Sequence, residues 1–561
     1  MKWNIKGKSL FKPFVEFQRK KYKSLGFGNV LSDVLINRNT DFDTIRNLIK
    51  SPSDFIHKPA DMYGCREAGE AIADMVQYKK KIWVFADYDV DGLTSGYIMS
   101  MFLTELGANV EVHYPERKDG YGLSLKFVKN LDKNDAVITV DNGITAIEAI
   151  DYCNKNGIMV VVTDHHEPGK QLPNCPICDP HLDPNGYGHH LCGAAVAQKV
   201  CQYVGNILGK GAGAIKYIAY AAIGTIADVM PMVPENQAIV LIGLKMINEG
   251  FFGQNIKTFA NFLKIKELDT EGVAWKIAPE LNACSRLGNA NLAAEFLFYD
   301  GDKKGLQKLM TQIDSMNESR KNLTKEAISA AEKQDFSKDM FCLFDATDYP
   351  VGIAGVIANK LMDTFGKPAI VYTRNEGNIW PASSRSPGIN LLPLYEKEKK
   401  AGNIKDYGGH AAACGLNLLS DTETFKKSLD KQLHELMKDY EPEEPTLDID
   451  TVIDFSQMNK KNLEDMNLIP TDRDSFPAPV LMLENLRVAK SRRSSNNPEN
   501  ICFTLIDEKG EAKDIWAWGM GSEYESLGEP EYIDVAGRLT WGFGQNSNNV
   551  TFGVEAIRCN S

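Results

Sequence analysis

Acidic residues and a histidine pair stand at the ends of hydrophobic runs in four separate places. In KIWVFADYDVDG the apolar run from Ile82 to Ala86 ends on Asp87, Asp89 and Asp91. DAVITVDNG delivers Asp141, IMVVVTDHH delivers Asp164, His165 and His166, and AAIGTIADVMPM delivers Asp228. Taken alone, any one of these carboxylates reads as a solvated loop residue or a helix cap. Clusters at the carboxyl ends of adjacent parallel strands read differently, because those ends form the crevice in which open α/β sheets bind ligands. Like charges brought together there cost several kcal/mol unless a cation neutralises them. Carboxylates with one or two imidazoles suit a pair of divalent ions, and the chemistry such a pair supports is hydrolysis.

The elements that must position these residues are visible in the hydrophobic pattern. Strands are expected at 82–87, 110–115, 136–141 and 159–164, near-continuous in Val and Ile and separated by helical stretches. That alternation is the pattern of a parallel sheet covered on both faces. A long polar amphipathic helix without internal Gly or Pro follows at about 305–334, the kind that bridges two domains. FCLFDA and AIVYT, with GVIANKLMDTF between them, form a second α/β unit ending near Tyr440, and EPEEP marks a linker. PVLMLENLRVA, NICFTLID, DIWAWGM, YIDVAGRLTW and VTFGVEAI are short strands, for which a small OB-like β-barrel is the leading architecture. The division is therefore 1–300, with a basic N-terminal arm, then a connecting helix at 301–335, a second α/β domain at 336–440 and a β-rich domain at 441–561.

The 561 residues, with 43% hydrophobic and 25% charged side chains, are those of an ordinary globular chain with several cores. No apolar run approaches the ~20 residues of a membrane span, and the start has no signal-peptide core, so the expectation is a cytoplasmic protein without a membrane partner. The 11 cysteines are scattered in apolar runs as free thiols, and the Cys175/Cys178 pair lacks a second ligand pair at zinc-site spacing. The net charge of −12 argues against whole-surface attraction to nucleic acid but not against a local channel. Basic residues do cluster, in the first 23 residues and in RVAKSRRSSNN. Each run by itself is more often a solvated face than a phosphate contact.

DYDVDG, VDNG, DHH and ADVMP occur in the order of the DHH phosphoesterase superfamily. HYPERKDGYGLS, LCGAAVAQK, IAPELNACSRLG, SSRSPG and YGGHAAACGL continue the likeness, so that the chain from about Ser32 to Leu416 resembles RecJ-type single-strand exonucleases. The resemblance implies a DHH catalytic domain, a DHH-associated domain and an OB domain. It implies Asp87, Asp89, Asp91, Asp141, His165 and Asp228 as metal ligands, with Asp141 bridging two ions, manganese preferred and magnesium possible. Asp164 is expected to orient its neighbours, and His166 to reach the scissile phosphate. Arg117 and Arg286 would hold backbone phosphates. Ser383, Arg385, the backbone of Gly408 and Gly409, and His410 would cradle a terminal five-prime phosphate. The implied activity is five-prime to three-prime hydrolysis of single-stranded DNA in repair, recombination or replication, by a monomer with a single-strand-binding protein or helicase as partner. Trp516, Trp518, Trp541 and Phe543 are candidates for stacking on bases, against the alternative of a barrel core.

The chain departs from that pattern at Tyr349, where a histidine is usual, at Cys284 and Ser285, and in the shortened DRDSFPAPV passage. The divergence fits a phage or mobile-element version, and it bears on terminal-phosphate selectivity rather than on the metal set. Two other functions remain at this stage: a phosphodiesterase for short oligonucleotides or cyclic dinucleotides, and a non-catalytic replication scaffold. A polymer substrate accounts for the OB-like segment and the basic clusters, and no motif acid is missing.

Overall fold

The computed structural model describes residues 2–7, 10–117, 120–375, 377–419, 421–438, 446–542 and 549–559. The EPEEP linker, Tyr440 and Phe543 lie outside the described residues. The chain forms two compact units, His57–Met230 with Ile242–Pro442, and Met1–Ile56 with Pro231–Leu241 and Glu443–Ser561. No described helix is long and apolar enough to cross a membrane.

The first of these units is built on a five-stranded parallel sheet in the order Asn109–His113, Lys81–Ala86, Asp135–Val140, Met159–Thr163, Ile177–Cys178. All six residues of Asp135–Val140 are buried, which is why this strand reads as an unbroken hydrophobic run. Each aliphatic side chain placed there contributes about 1.5–3 kcal/mol of burial. Lys81 pairs with Asp135 and Ala136 with Met159, so the strands end level with one another. Asp87, Asp141 and Asp164 are each the first residue past a strand end. Helix Val90–Glu105 leaves the same edge, helices Gly193–Ile207 and Ile218–Ala227 pack beside it, and helix Cys65–Gln77 packs on Gly193–Ile207.

Helix Ala278–Arg286 packs on the connecting helix Lys303–Ala331, 29 residues long. Asp302 caps the latter, accepting from the Gly305 N–H at 2.7 Å. A second sheet follows in the order Ile404–His410, Ala413–Leu419, Ile379–Arg385, Ala369–Tyr372, Cys342–Asp345, antiparallel except for its last pair. Helix Ala354–Phe365 packs against this sheet, with Ile357 and Leu361 in a core shared with the end of the connecting helix. The helix stops at Gly366, whose φ of 64° a side-chain-bearing residue rarely adopts. Helices Leu392–Ala401 and Thr422–Met437 supply Tyr395, Phe425 and Leu429 to a separate core.

In the other unit Ile501–Ile506, Ala512–Ala517, Leu481–Arg493, Tyr532–Trp541 and Val550–Cys559 form an antiparallel sheet, and Thr451–Val452 adds a short parallel strand. Ala512–Ala517 also packs against Val550–Cys559, so the sheet curls back on itself. Strand Lys2–Ile5 pairs in parallel with Thr446–Ile449. Val30, Leu31, Val34 and Leu35 of helix Asn29–Asn37 share one hydrophobic core with Leu481, Phe503, Ile515 and Val535. Arg38 grips Asp450 through Nε and Nη2 at 2.8 and 2.6 Å. Of the basic first residues, Lys2 lies in a strand and Lys12, Arg19, Lys20, Lys21 and Lys23 in helix Lys12–Lys23 of this unit.

Candidate metal centre

Asp89 caps helix Val90–Glu105 by accepting from the Gly92 N–H at 3.1 Å, and Asp91 lies in the first turn, where the helix dipole favours negative charge. A second helix start meets Asp91 from the other side. Gly193 N–H donates to its Oδ2 at 2.6 Å and Ala194 N–H to its Oδ1 at 2.9 Å. Asp141 adopts a left-handed backbone with φ of 61°, as does Val229, beside Asp228, with φ of 56°. For side-chain-bearing residues such conformations cost about 1–3 kcal/mol and concentrate at functional sites.

The six residues converge. Single ligand atoms of Asp87, Asp89 and Asp141 lie within 4.8 Å of one another, as do those of Asp91, His165 and Asp228, and those of Asp141, His165 and His166. His165 Nε2 is 3.0 Å from Asp141 Oδ1, 3.6 Å from Asp91 Oδ2 and 3.7 Å from Asp228 Oδ2. Asp87, Asp91, Asp141 and His165 are buried. Yet Asp87 Oδ1, Asp141 Oδ1 and His165 Nε2 have no hydrogen-bond partner. Three lone-pair-bearing atoms left unsatisfied in one buried place are what cation ligands look like without their cation. Burial first, and then the neighbouring carboxylates, raise Asp87, Asp141 and Asp228 well above the ordinary carboxylate range. Burial also lowers His165, which favours the neutral imidazole a metal needs. The donor set fits two divalent cations, with Asp141 common to two of the ligand groups.

Asp164 is occupied differently. Its Oδ1 accepts from the His165 and His166 backbone N–H groups at 2.8 and 3.2 Å and from His166 Nδ1 at 2.8 Å, and its Oδ2 from Ile144 N–H at 2.9 Å. Burial would raise this carboxyl, but His166 and these donors hold it below its usual value. Burial alone would lower His166, whereas the Asp164 hydrogen bond and charge carry it up to about 9. Tyr121 Oη lies 3.1 Å from His166 Nδ1 and donates to the Asp141 carbonyl at 3.2 Å. Tyr121 stands inside the GYG string, yet nothing in its residue type singles it out from a core tyrosine.

The arginines come from separate elements. Arg117 donates from Nε to Ser285 Oγ at 3.3 Å and lies 4.1 Å over the Tyr88 ring. Arg286, the last residue of its helix, donates to the Gly352 carbonyl at 3.1 Å, and a Cβ on Gly352 would come within 2.7 Å of the Arg286 Cα. Arg385 donates to the Ser384 carbonyl at 2.8 Å. A Cβ on Gly355 would stand 3.0 Å from Arg385 Nη2 and 3.7 Å from Ser383 Oγ, which places both side chains at the start of helix Ala354–Phe365. Strand register aligns Ser383 with Gly415 and Gly408, and Arg385 with Ala413 and His410. A Cβ on Gly408 would meet nothing within 4 Å, so the main chain is open at Gly408, whereas at Gly409, with φ of 129°, a Cβ would stand 2.6 Å from the Ala413 carbonyl oxygen.

On the curled sheet Arg492 pairs with Cys502 and Cys502 with Trp516, on the face opposite the buried Phe503 and Ile515. Trp516 and Trp518 stack at 5.2 Å with their planes 12° apart, and Arg492 lies 5.8 Å over Trp516. Trp518 is 47% exposed, whereas Trp541 packs against the core.

Comparison with known proteins follows the same plan. Residues 81–225 match the DHH family N-terminal domain, 339–438 the DHHA1 domain and 449–556 the RecJ OB domain. The single-stranded-DNA-specific exonuclease RecJ of Dickeya dadantii is 30% identical over 387 residues, 64% of this chain and 67% of that protein. This chain belongs to the RecJ family. The Bacillus subtilis RecJ is 28% identical over 558 residues, covering 96% of this chain and 68% of its own length. RecJ of Thermus thermophilus, solved in complex with Mn2+, aligns over 100% of this chain and 80% of its own with a TM-score of 0.80 at 23% identity. An exonuclease RecJ bound to manganese aligns over 66% of this chain and 95% of its own, with a TM-score of 0.59 and 28% identity. The α/β sheet with its acidic strand ends, the second α/β domain and the C-terminal OB domain are thus RecJ architecture.

Proposed function

We propose that this chain is a metal-dependent exonuclease that hydrolyses the phosphodiester bonds of single-stranded DNA from the five-prime end, in the cytoplasm, in repair, recombination or replication. The observation that carries this reading is the convergence of Asp87 Oδ1, Asp141 Oδ1 and His165 Nε2, all buried and all without hydrogen-bond partners. In this reading Asp87, Asp89 and Asp141 hold one divalent ion and Asp91, Asp141, His165 and Asp228 the other. Manganese is the preferred ion, since one imidazole stands among oxygen ligands. A bound pair of such ions supplies an ionised water at neutral pH and stabilises charge on the phosphoryl oxygens.

The chain's own groups do the rest. Asp164 fixes the rotamer of His166, and in this reading its ring, beside Asp141 and His165, meets a non-bridging phosphate oxygen. Arg117 and Arg286 supply forked donors to backbone phosphates. Ser383, Arg385 and the main chain of Gly408 and Gly409, with His410, receive the terminal phosphate, so cleavage is counted from the end held there. Trp516 and Trp518, stacked on the outer face of the OB sheet, offer a platform for unpaired bases.

The test is digestion of end-labelled single- and double-stranded DNA with each end blocked in turn, with and without manganese, beside Asp141→Ala. Single-strand cleavage that needs manganese and an open five-prime end, and that the variant lacks while still binding strand, is the expected outcome. Normal digestion by Asp141→Ala would remove the chemistry assigned to the centre. Equal turnover of a dinucleotide and a long strand would shift the substrate to short oligonucleotides.

A further inference from the structure

Ser285 is one of the positions at which the chain departs from its family's pattern, and in sequence it is only a small polar residue near the end of helix Ala278–Arg286. In the structure it is 1% exposed, and its hydroxyl has two partners. Oγ donates to the Asn282 carbonyl, one turn earlier, at 3.2 Å, the back-bond a serine makes inside a helix. That bond commits the hydroxyl proton. The lone pairs remain, and Oγ accepts from Arg117 Nε at 3.3 Å.

Arg117 comes to this hydroxyl from 168 residues away in the chain, past the end of strand Asn109–His113. Its guanidinium carbon also stands 4.1 Å from the centre of the Tyr88 ring, and Tyr88 is flanked in the chain by Asp87 and Asp89 of the metal centre. A ring under the guanidinium and a hydroxyl at Nε together set its plane and its direction. Among the described residues no hydrogen bond takes up its two Nη nitrogens, so the stem is held while the fork that grips phosphate is left open. An arginine loses side-chain freedom when it presents that fork to an anion, and one already held loses less.

We propose that Ser285 is a positioning residue for the reaction, whose hydroxyl, with the Tyr88 ring, presets the Arg117 guanidinium for a backbone phosphate of the single strand beside the metal centre. The inference rests on the reading of Arg117 as a phosphate contact given above. Ser285 acts through Arg117 and not on the strand itself. A hydrogen bond from a charged donor to a buried hydroxyl is worth enough for Ser285→Ala to raise KM about fivefold. Because Arg117 meets the phosphate equally in the bound substrate and the transition state, kcat should change by less than about twofold.

The experiment is a double-mutant cycle in the full chain with manganese, reading KM and kcat on a single strand with Arg117 and Ser285 replaced singly and together. Ser285→Ala should raise KM about fivefold beside Arg117 and less than about twofold in the Arg117→Ala background, whereas a merely structural role would give the same rise in both. Ser285→Gly takes the place of Ser285→Ala if the latter loses its melting transition. Strands carrying one neutral methylphosphonate linkage, moved one position at a time from the five-prime end, give a second reading. The linkage at which Arg117→Ala loses its effect should be the one at which Ser285→Ala loses its effect as well. Equal rises on the two sides of the cycle, loss of effect at a different linkage, or a wild-type KM for Ser285→Ala would overturn the proposal and leave the exonuclease reading standing. A wild-type KM for Arg117→Ala would instead remove the phosphate contact on which it rests.

Discussion

Gly193 lies so close to Asp141 that a Cβ at position 193 would stand 2.6 Å from the Asp141 Cβ and 2.7 Å from its Oδ1. The same glycine gives its N–H to Asp91. One residue without a side chain thus sets the spacing between two carboxylates of the centre. Gly193→Ala must push Asp141 aside, so manganese affinity should fall at least tenfold, about 1.4 kcal/mol. Isothermal titration of both proteins with manganese measures it; equal affinities would mean that Asp141 tolerates displacement.

Asp141 keeps its proton to higher pH in its buried site than in the unfolded chain, because burial and then Asp91, Asp89 and Asp87 all disfavour its charge. Its contribution is therefore harmless below about pH 4, the unfolded value, and increasingly destabilising as pH rises through the folded one. In metal-free buffer Asp141→Asn should melt with the wild type near pH 4 and above it by about 3 °C or more at pH 8. Added manganese should reverse the order. Thermal melts across that range with and without the ion decide it.

Arg385→Ala should remove selectivity for the strand's end rather than hydrolysis. The ratio of KM for five-prime-hydroxyl over five-prime-phosphate strands, expected to exceed one in the wild type, should fall about tenfold, the worth of one charge-assisted contact. An unchanged ratio would move the terminal phosphate away from Ser383 and Arg385.

Base stacking is worth about 1–3 kcal/mol per base, so removing the stacked pair with Trp516→Ala and Trp518→Ala should weaken binding of a long strand about tenfold or more. Binding of a strand of only a few nucleotides should be untouched. Fluorescence anisotropy on two lengths separates the outcomes, and an equal loss on both would indicate damage to the sheet.

Much of the centre was readable because parallel strands buried on both faces must be nearly continuous in Val and Ile, and each such run ends one residue before a site acid. Asp87, Asp141 and Asp164 announce themselves this way, while Asp228 announces itself at the end of an apolar helix, Ile218–Ala227. The stretch SLKFVKNL at 124–131 reads as a longer helix than the four residues Leu125–Val128 that form one. Tyr121 escaped because its role comes from a neighbour distant in sequence, His166. Local periodicity carries no trace of that partner. The same holds for Lys2–Ile5, whose parallel partner Thr446–Ile449 lies more than four hundred residues on.

That last pairing has a consequence for biosynthesis. Helix Asn29–Asn37 leaves the ribosome long before Leu481, Phe503 and Val535 exist to complete its core, and strand Lys2–Ile5 long before its partner Thr446–Ile449. At ordinary elongation rates of about 5–20 residues per second the wait is on the order of half a minute. During it Val30, Leu31, Val34 and Leu35 lack their partners, so nascent chains stalled before residue 446 are the species a holdase chaperone should capture.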